Sequence, residues 1–198
     1  MCAADYGVPQ MRYRMFMIGN RLGIDFEEPR QTHYPIGSGC VPEYTTVGDA
    51  IMDLVGKENQ IANHVPLEHK PIVAARYGYV KEGCKLNIDD LPPELAATTR
   101  KDSKTGTVAN YSHVYKRLDR KKPSTTMVPG HNAFPIHPTL NRTLTAREAA
   151  RIQTFPDTHV FFGTRQEQCI QVGNAVPPKM AEPFLKKIRW YLSKYEEV

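Results

Sequence analysis

The sequence lacks the features that mark membrane, secreted and metal-binding proteins. None of its stretches stays apolar over the roughly 20 residues that a membrane-spanning helix needs, and no secretory signal precedes the first polar segment. The four cysteines show no Cys-x-x-Cys spacing, and the seven histidines are scattered, with His64 and His69 as the nearest pair. We therefore expect free thiols in a reduced, cytoplasmic setting, with no metal and no membrane partner.

The sequence also lacks a strong excess of either charge. Lys and Arg number 26 against 21 Asp and Glu, which gives a formal charge of +5 and a pI near 9.0. This mild excess is compatible with a polyanionic partner such as DNA, although many proteins that never bind nucleic acid are as basic. An RNA-binding protein is less favoured, because the sequence has no aromatic stacking platform or RNA-binding signature. The 198 residues suffice for one moderate core, or for a small domain with an appendage.

Segment 142–157, RTLTAREAARIQTFPD, predicts a capped helix. Thr145 and Glu148 have the spacing of a capping box, in which each side chain accepts a hydrogen bond from the backbone of the other residue. Phe155-Pro156 ends the helix, because a residue before proline is displaced from helical geometry. We expect a short helix with a basic stripe, formed by residues spaced four apart.

The N-terminal segment 10–18 alternates in a way that predicts a β-strand. In such a strand Arg12 and Arg14 point to the same side, about 6.6 Å apart along the strand. One guanidinium would then hold a phosphate or a carboxylate while the other reaches a base. The plain alternative is a pair of exposed arginines on an edge strand.

Segment 171–178, QVGNAVPP, predicts a turn followed by a helix. Gly173-Asn174 can adopt positive φ and bring backbone close to a small polar ligand, or form a plain turn. Pro177-Pro178 then sets the start of a C-terminal helix over about 180–195, with an apolar stripe at helical spacing. An unpaired apolar stripe at this position predicts a partner.

The middle of the chain predicts short, irregular structure. Segment 25–42 is rich in Pro, Gly and Ser, and short helices are expected after Thr46, over 70–78 and near 89–95. The polar segment 101–110 predicts a mobile loop that orders on DNA. Strands over 115–118 and 125–128 are expected to form a hairpin with a basic tip at 119–123.

Three of these segments together resemble the DNA (cytosine-5) methyltransferase family. The N-terminal ADYGVPQMRYR is similar to the eighth sequence block of that family, and segments 142–157 and 171–178 are similar to its ninth and tenth blocks, in family order. The resemblance implies the carboxyl-terminal part of a Rossmann-like α/β enzyme together with a mixed α+β target-recognition domain. It divides the chain into 1–20 (end of the catalytic domain), 21–140 (recognition domain) and 141–198 (return to the catalytic domain).

The resemblance also implies roles for individual residues. Gln10, Arg12 and Arg14 would form the base pocket, with Arg14 holding the flipped cytosine and Arg12 organising the site or a phosphate. Gly173, Asn174 and Ala175 would contact S-adenosyl-L-methionine. DNA contact is expected of the basic and hydroxyl residues that leave the recognition region, or these form only a solvated charged face: Lys116, Arg117, Arg120, Lys121, Lys122, Ser124 and Thr125. A scaffold role is expected of Arg142, Thr145, Glu148 and Arg151.

Three family elements are missing from this sequence: the glycine-rich cofactor loop, the Pro-Cys nucleophile and the Glu-Asn-Val strand end. Cys2, Cys40, Cys84 and Cys169 follow Met, Gly, Gly and Gln, so none of them belongs to a Pro-Cys loop. In the family a thiolate attacks carbon 6 of a flipped cytosine before carbon 5 is methylated. The chain is therefore expected to need an amino-terminal methyltransferase half, and to act with it on double-stranded DNA at a bacterial nucleoid. The alternative is a non-catalytic DNA-binding module, or the remnant of a broken methyltransferase gene.

Overall fold

The computed structural model describes residues 1–21, 23, 25–96, 114–128 and 134–195. Within these residues six α-helices occur: α1 (Val47–Ile51), α2 (Pro71–Gly78), α3 (Pro93–Ala96), α4 (Ala146–Ile152), α5 (Arg165–Asn174) and α6 (Pro178–Tyr195). Three 3-10 turns accompany them, at Ala3–Tyr6, Met52–Leu54 and Ile88–Asp90. No helix in the described part is long and apolar enough to cross a bilayer.

The predicted helices are present and their starts follow the expected chemistry, but α4 ends at Ile152, before the expected stop at Phe155-Pro156, and α5 was not predicted. Thr46 and Thr145 each cap a helix through a complete capping box, at α1 and α4. Helix α2 begins at Pro71, and α6 begins at Pro178, where a missing backbone N–H costs nothing. The segment 25–42 is irregular, as its composition indicated. The loop expected over 101–110 lies outside the described residues.

The strand predicted over 10–18 is much shorter than expected. Strand β1 comprises Gln10–Met11 and pairs in parallel with β2 (Ser124–Thr125). The next residues turn back on the amino terminus, where Tyr13 forms an antiparallel bridge with Cys2. From Met15 onward, alternation of side chains is not enough to make a strand, because the described residues offer no neighbouring strand to accept its backbone hydrogen bonds. Met15 and Met17 are consequently 82% and 86% exposed.

The predicted basic hairpin is wrong. Lys116 bridges Lys85 and Arg117 bridges Ile136, whereas Ser124–Thr125 pairs with β1 at the other end of the chain. The two segments thus belong to different pairings, and 119–123 is a turn between them rather than a hairpin tip. The basic sequence fixes the turn but not its strand partners.

Three apolar clusters hold these elements together. The largest joins α1, α4 and α5 to Leu118, Met127 and Phe134. A second lies between α2, the turn at Ile88–Asp90 and Ile136. The third packs the turn Ala3–Tyr6 against Met180 and Phe184 of α6, and Phe16 stacks on Phe184 with ring centroids 4.2 Å apart. The two ends of the chain are therefore neighbours, which brings the segments of the predicted site together.

Candidate active site

Arg12 is the centre of the site, and it lies entirely inside the protein. Its guanidinium donates to the backbone oxygens of Met127 (3.1 Å), Gly173 (2.7 Å) and Ala175 (3.2 Å). Gln10, also fully buried, accepts from Arg12 Nη1 and from the Met127 amide. Arg12 thus joins the N-terminal segment to the end of α5. The phosphate contact considered for Arg12 is wrong, because a guanidinium enclosed among carbonyls cannot reach a polyanion.

Arg14 occupies a different environment from Arg12. It is half-buried, donates to the adjacent Tyr13 carbonyl at 2.9 Å, and lines a cavity of about 780 Å³ with Phe16 and Phe184 among its walls. The expectation that both guanidiniums present themselves on one strand face to a ligand does not hold, because the strand ends before Arg12. Only Arg14 of this pair is placed to meet a ligand.

Gly173 and Asn174 are helical, which corrects the predicted positive-φ turn. They are the last two residues of α5, and Ala175 ends it with φ −62° and ψ 152°. Gly173 is buried while Asn174 is exposed and Ala175 is half-buried. The helix end thus turns its carbonyl groups inward, to Arg12, and its Asn174 side chain outward. Neither arrangement needs a left-handed residue.

Arg117 corrects the expected set of DNA contacts. All five of its N–H groups are used inside the protein, on the oxygens of Val80, His137, Leu140, Tyr77 and Asn141, at 2.6 to 2.8 Å. The side chain is 5% exposed, and burial lowers its pKa. Arg117 therefore organises the fold around α2 and cannot contact phosphate from this position. In the sequence, nothing distinguishes Arg117 from the other basic residues of 116–122.

The other predicted DNA-contact residues divide by exposure. Ser124 is buried with its hydroxyl donating to the Thr125 carbonyl, so it too is unavailable to DNA. Lys116 is half-buried, and burial lowers its pKa. The exposed members are Arg120, Lys121, Lys122 and Thr125. Arg120 is engaged by Glu82 at 3.0 and 3.1 Å, and Lys122 by Asp119 at 3.5 Å.

A buried ionic network connects the start of α4 to the middle of the chain. Arg142 makes a two-pronged contact with Glu148, at 2.7 and 2.8 Å, and also reaches Glu58 at 3.1 Å. Burial raises the pKa of Glu148, but the hydrogen bonds and charge of Arg142 outweigh it and leave that pKa below its usual value. Thr145 caps α4 and holds His64 Nδ1 at 2.9 Å. These are the contacts of a scaffold.

Arg147 and Arg151 tie α4 to its surroundings in two ways. Arg151 binds Asp157 and Asp53, the latter at 2.6 Å, and the hydrogen bonds that Arg151 donates to Asp157 raise the pKa of Arg151. Arg147 is fully buried and donates to the carbonyl of His159 at 2.6 Å and to that of Ala62 at 2.9 Å. The basic stripe on α4 therefore faces neighbouring segments of the protein, which bind both arginines. Their four-residue spacing gave no signal of this.

Gln153 was not singled out from the sequence, yet it belongs to the site. It caps the C-terminus of α4, is fully buried, and donates through Nε2 to the Val172 carbonyl. The available signal was its place on the apolar face of α4 beside Ala149 and Ile152, where a polar side chain needs a partner. In the described ranges, no group of three or more His, Cys, Asp or Glu is arranged to hold a metal.

Curated relatives match this chain over nearly its whole length. The Type II methyltransferase M1.HphI of Haemophilus parahaemolyticus is 37% identical over 192 residues, which are 94% of this chain and 45% of that protein. M.NgoFVII of Neisseria gonorrhoeae is 34% identical over 200 residues, 98% of this chain and 50% of that one. The chain thus spans about half the length of such relatives. M.AquIB of Picosynechococcus is shorter: 35% identity over 144 residues covers 67% of this chain and 90% of M.AquIB.

A solved structure and a family profile complete the comparison. An E. coli protein described as a DNA modification methyltransferase encoded within a prophage superposes with a TM-score of 0.65 over 98% of this chain and 59% of its own, at 24% identity. That likeness shows a shared mixed α/β fold. The profile described as C-5 cytosine-specific DNA methylase matches residues 1–190. Such enzymes methylate DNA with S-adenosyl-L-methionine, and on this match the chain belongs to the C-5 cytosine-specific DNA methylase family.

Proposed function

We propose that this chain is the part of a DNA (cytosine-5) methyltransferase that recognises DNA, holds the flipped cytosine and forms one wall of the cofactor site. It acts with an amino-terminal half that carries the Pro-Cys nucleophile. The observation that carries the proposal is the contact of Arg12 with Gly173 and Ala175. Residues 161 and 163 positions apart meet there, which joins the segment of Arg14 to the segment of Asn174.

Arg14 is the residue proposed to meet the target base. It follows Arg12 by two residues and lines an open cavity, so a fixed positive charge is available beside whatever enters. A guanidinium there would favour the electron-rich cytosine adduct that forms when a thiolate attacks. Arg12 contributes by holding the surrounding backbone, since its Nη1 and Nη2 groups donate to oxygens within the protein.

The end of α5 fits the polar part of S-adenosyl-L-methionine. Asn174 is exposed and offers both a donor and an acceptor, while the carbonyls around it are already occupied by buried side chains. When bound, the cofactor supplies the electrophilic methyl group. The contribution of this chain is to orient Asn174 and Ala175 at the edge of that site.

The exposed basic turn is proposed to contact the DNA backbone. One turn, just before β2, carries Arg120, Lys121 and Lys122. Thr125 follows it within β2. Such contacts are independent of DNA sequence. Their affinity falls as the salt concentration rises, because the release of counterions from the phosphates then contributes less free energy. We place target recognition in 21–140 and catalytic-domain contacts in 1–20 and 141–198. A cytoplasmic location at the nucleoid would follow from this role.

The requirement for a second half is supported by sequence and by the comparisons. The 198 residues contain no Pro-Cys pair, and the relatives that match it over 94% to 98% of its length are about twice as long. M.AquIB, 90% of which aligns here, indicates that a separate chain of this kind occurs in the family.

A segment exchange tests the proposal directly. Residues 1–198 replace the matching 45% of M1.HphI, and the hybrid is assayed for S-adenosyl-L-methionine-dependent methylation of cytosine in DNA, with the methylated positions read by bisulfite sequencing. We expect methylation, and its loss in the same hybrid carrying Arg14→Ala. Lys57→Ala, which removes an exposed lysine with a long 4.0 Å contact to Asp53, is the matched control and should stay active.

The outcomes separate the proposal from its alternative. A stable, folded hybrid that binds DNA without any dependence on the cofactor, and never methylates it, would favour a non-catalytic DNA-binding module. Equal activity of the Arg14→Ala and Lys57→Ala hybrids would remove Arg14 from the base pocket.

A further inference from the structure

Gln153 is a buried polar residue without a role so far. It lies in the interior at the end of α4, with no exposed surface, where an apolar residue would normally be expected. Its Nε2 donates to the carbonyl of Val172, while its Oε1 has no hydrogen-bond partner among the described residues. Burying an amide with one unpaired atom is unfavourable. Because Gln153 is unfavourable for stability in this position, it is a candidate for a functional role.

Gln153 donates to the Val172 carbonyl, which lies in the last turn of α5. The last carbonyls of a helix lack intrahelical donors, and a left-handed glycine commonly closes such an end. Here Ala175 is extended instead, with φ −62° and ψ 152°. Gln153 binds the carbonyl of Val172, and Arg12 binds those of Gly173 and Ala175. Two buried side chains therefore do what a glycine cap does elsewhere.

This arrangement fixes the direction of Asn174. The carbonyls on either side of it are drawn into the interior, so the Asn174 side chain is held toward solvent on the opposite side. Release of the Val172 carbonyl would let the last turn of α5 rotate or fray, since a helix end without bonded carbonyls is the first part to open.

We propose that Gln153 is a positioning residue for the cofactor turn: through the Val172 carbonyl, and jointly with Arg12, it sets the orientation in which Asn174 meets S-adenosyl-L-methionine. This rests on the proposed function of Asn174. It adds a residue from α4, a helix to which only a scaffold role was given.

The test compares Gln153→Met with wild type in the complex of this chain with a Pro-Cys-bearing amino-terminal half. Methionine keeps the length and apolar contacts of the side chain but removes the donor. We expect the Kd for S-adenosyl-L-methionine to rise about tenfold, as loss of a neutral hydrogen bond near the upper end of its usual range predicts, with the KM for DNA unchanged. Gln168→Met is the control, because Gln168 also donates to a backbone carbonyl, that of Gly163, away from the turn.

A second pair of variants keeps the proposal testable should Gln153→Met lose stability. In Gln153→Glu the protonated carboxyl can still donate to Val172, so its cofactor Kd should rise with pH while the wild-type value changes little. Arg12→Lys should weaken cofactor binding as well, and the double variant with Gln153→Met should lose less than the product of the two single losses, because both act on one turn.

Amide hydrogen exchange gives a readout that needs no cofactor. Gln153→Met should speed exchange at Ala175 and Val176 several-fold, and Gln168→Met should not. Loss of thermal stability with unchanged exchange and unchanged cofactor Kd would mean that Gln153 is merely structural, and would overturn the proposal. If the wild-type complex binds no S-adenosyl-L-methionine, the proposed function fails, while the exchange result still decides whether Gln153 holds the turn.

Discussion

Replacing Arg117 by alanine tests how far the tertiary structure overrides the basic sequence around it. The segment 116–122 predicts DNA contact, yet the guanidinium of Arg117 donates to five protein oxygens, four of them backbone carbonyls. These belong to Tyr77 in α2, to Val80 two residues beyond that helix, and to the turn near 137–141. The substitution should therefore unfold the chain more readily rather than merely weaken its binding to DNA.

The magnitude follows from the contacts. A hydrogen bond from a charged group contributes roughly 1.5–3 kcal/mol, so five of them set an upper limit of about 7–15 kcal/mol. Much of that is offset, because the variant no longer buries a charge and water can enter to bind the freed carbonyls. We expect the free energy of unfolding to fall by about 3–5 kcal/mol, because a buried oxygen left without a donor costs about 1–3 kcal/mol and entering water satisfies part of the set. At about 2–4 °C per kcal/mol for a chain of this size, Tm falls by roughly 6–20 °C.

Urea unfolding and thermal melting measure this effect, with Lys122→Ala as the control. Lys122 is exposed and lies in the same basic run, so its loss should change stability by no more than about 0.5 kcal/mol. In DNA-binding titrations at rising salt, Lys122→Ala should lower affinity and Arg117→Ala, kept below its melting point, should not. An Arg117→Ala chain as stable as wild type but weakened toward DNA would refute the assignment of Arg117 to the interior.

Three further results are expected. Gly48→Ala should destabilise the chain by about 1–3 kcal/mol in urea unfolding despite the better helix propensity of alanine, because the new Cβ would lie 2.6 Å from the Arg120 carbonyl oxygen. Thr145→Ala should cost about 2 kcal/mol in the same measurement, since it removes the cap on the Glu148 amide, and Thr145→Ser should restore most of it. Burial lowers the pKa of His137 to about 4, so the folded chain leaves it neutral where the unfolded chain, with an ordinary pKa of 6.5, binds a proton. Stability present above pH 6.5 should fall as the pH drops from 6.5 toward 4, by up to about 1.4 kcal/mol per unit for this one proton, and His137→Asn should reduce that slope.

Local sequence was sufficient to predict a structural feature wherever all the interacting groups of that feature lie in one short segment. The capping boxes at Thr46 and Thr145 and the starts of α2 and α6 at prolines were predictable because donor, acceptor and restricted φ lie within four residues. The three family-like blocks identify the chemistry for a similar reason, since their residue order is local. Neither the helix caps nor the family-like blocks depend on the tertiary contacts that the segment makes in the folded chain.

Pairing and burial were decided only by the tertiary structure. Strand β1 is short because its partner β2 is two residues long and lies more than a hundred positions away. Arg12, Arg117 and Arg147 have the same side chain as Arg14, yet backbone carbonyls from distant segments enclose the first three and leave Arg14 beside a cavity.

By itself, the order of residues determined the capped starts of α1 and α4 and the enzyme family, but not α5. Which of its arginines hold the protein together, and that Arg14 lies beside a cavity instead, was settled by where carbonyl groups came to lie in the folded chain. A guanidinium binds whichever oxygens surround it, and only the fold specifies those oxygens.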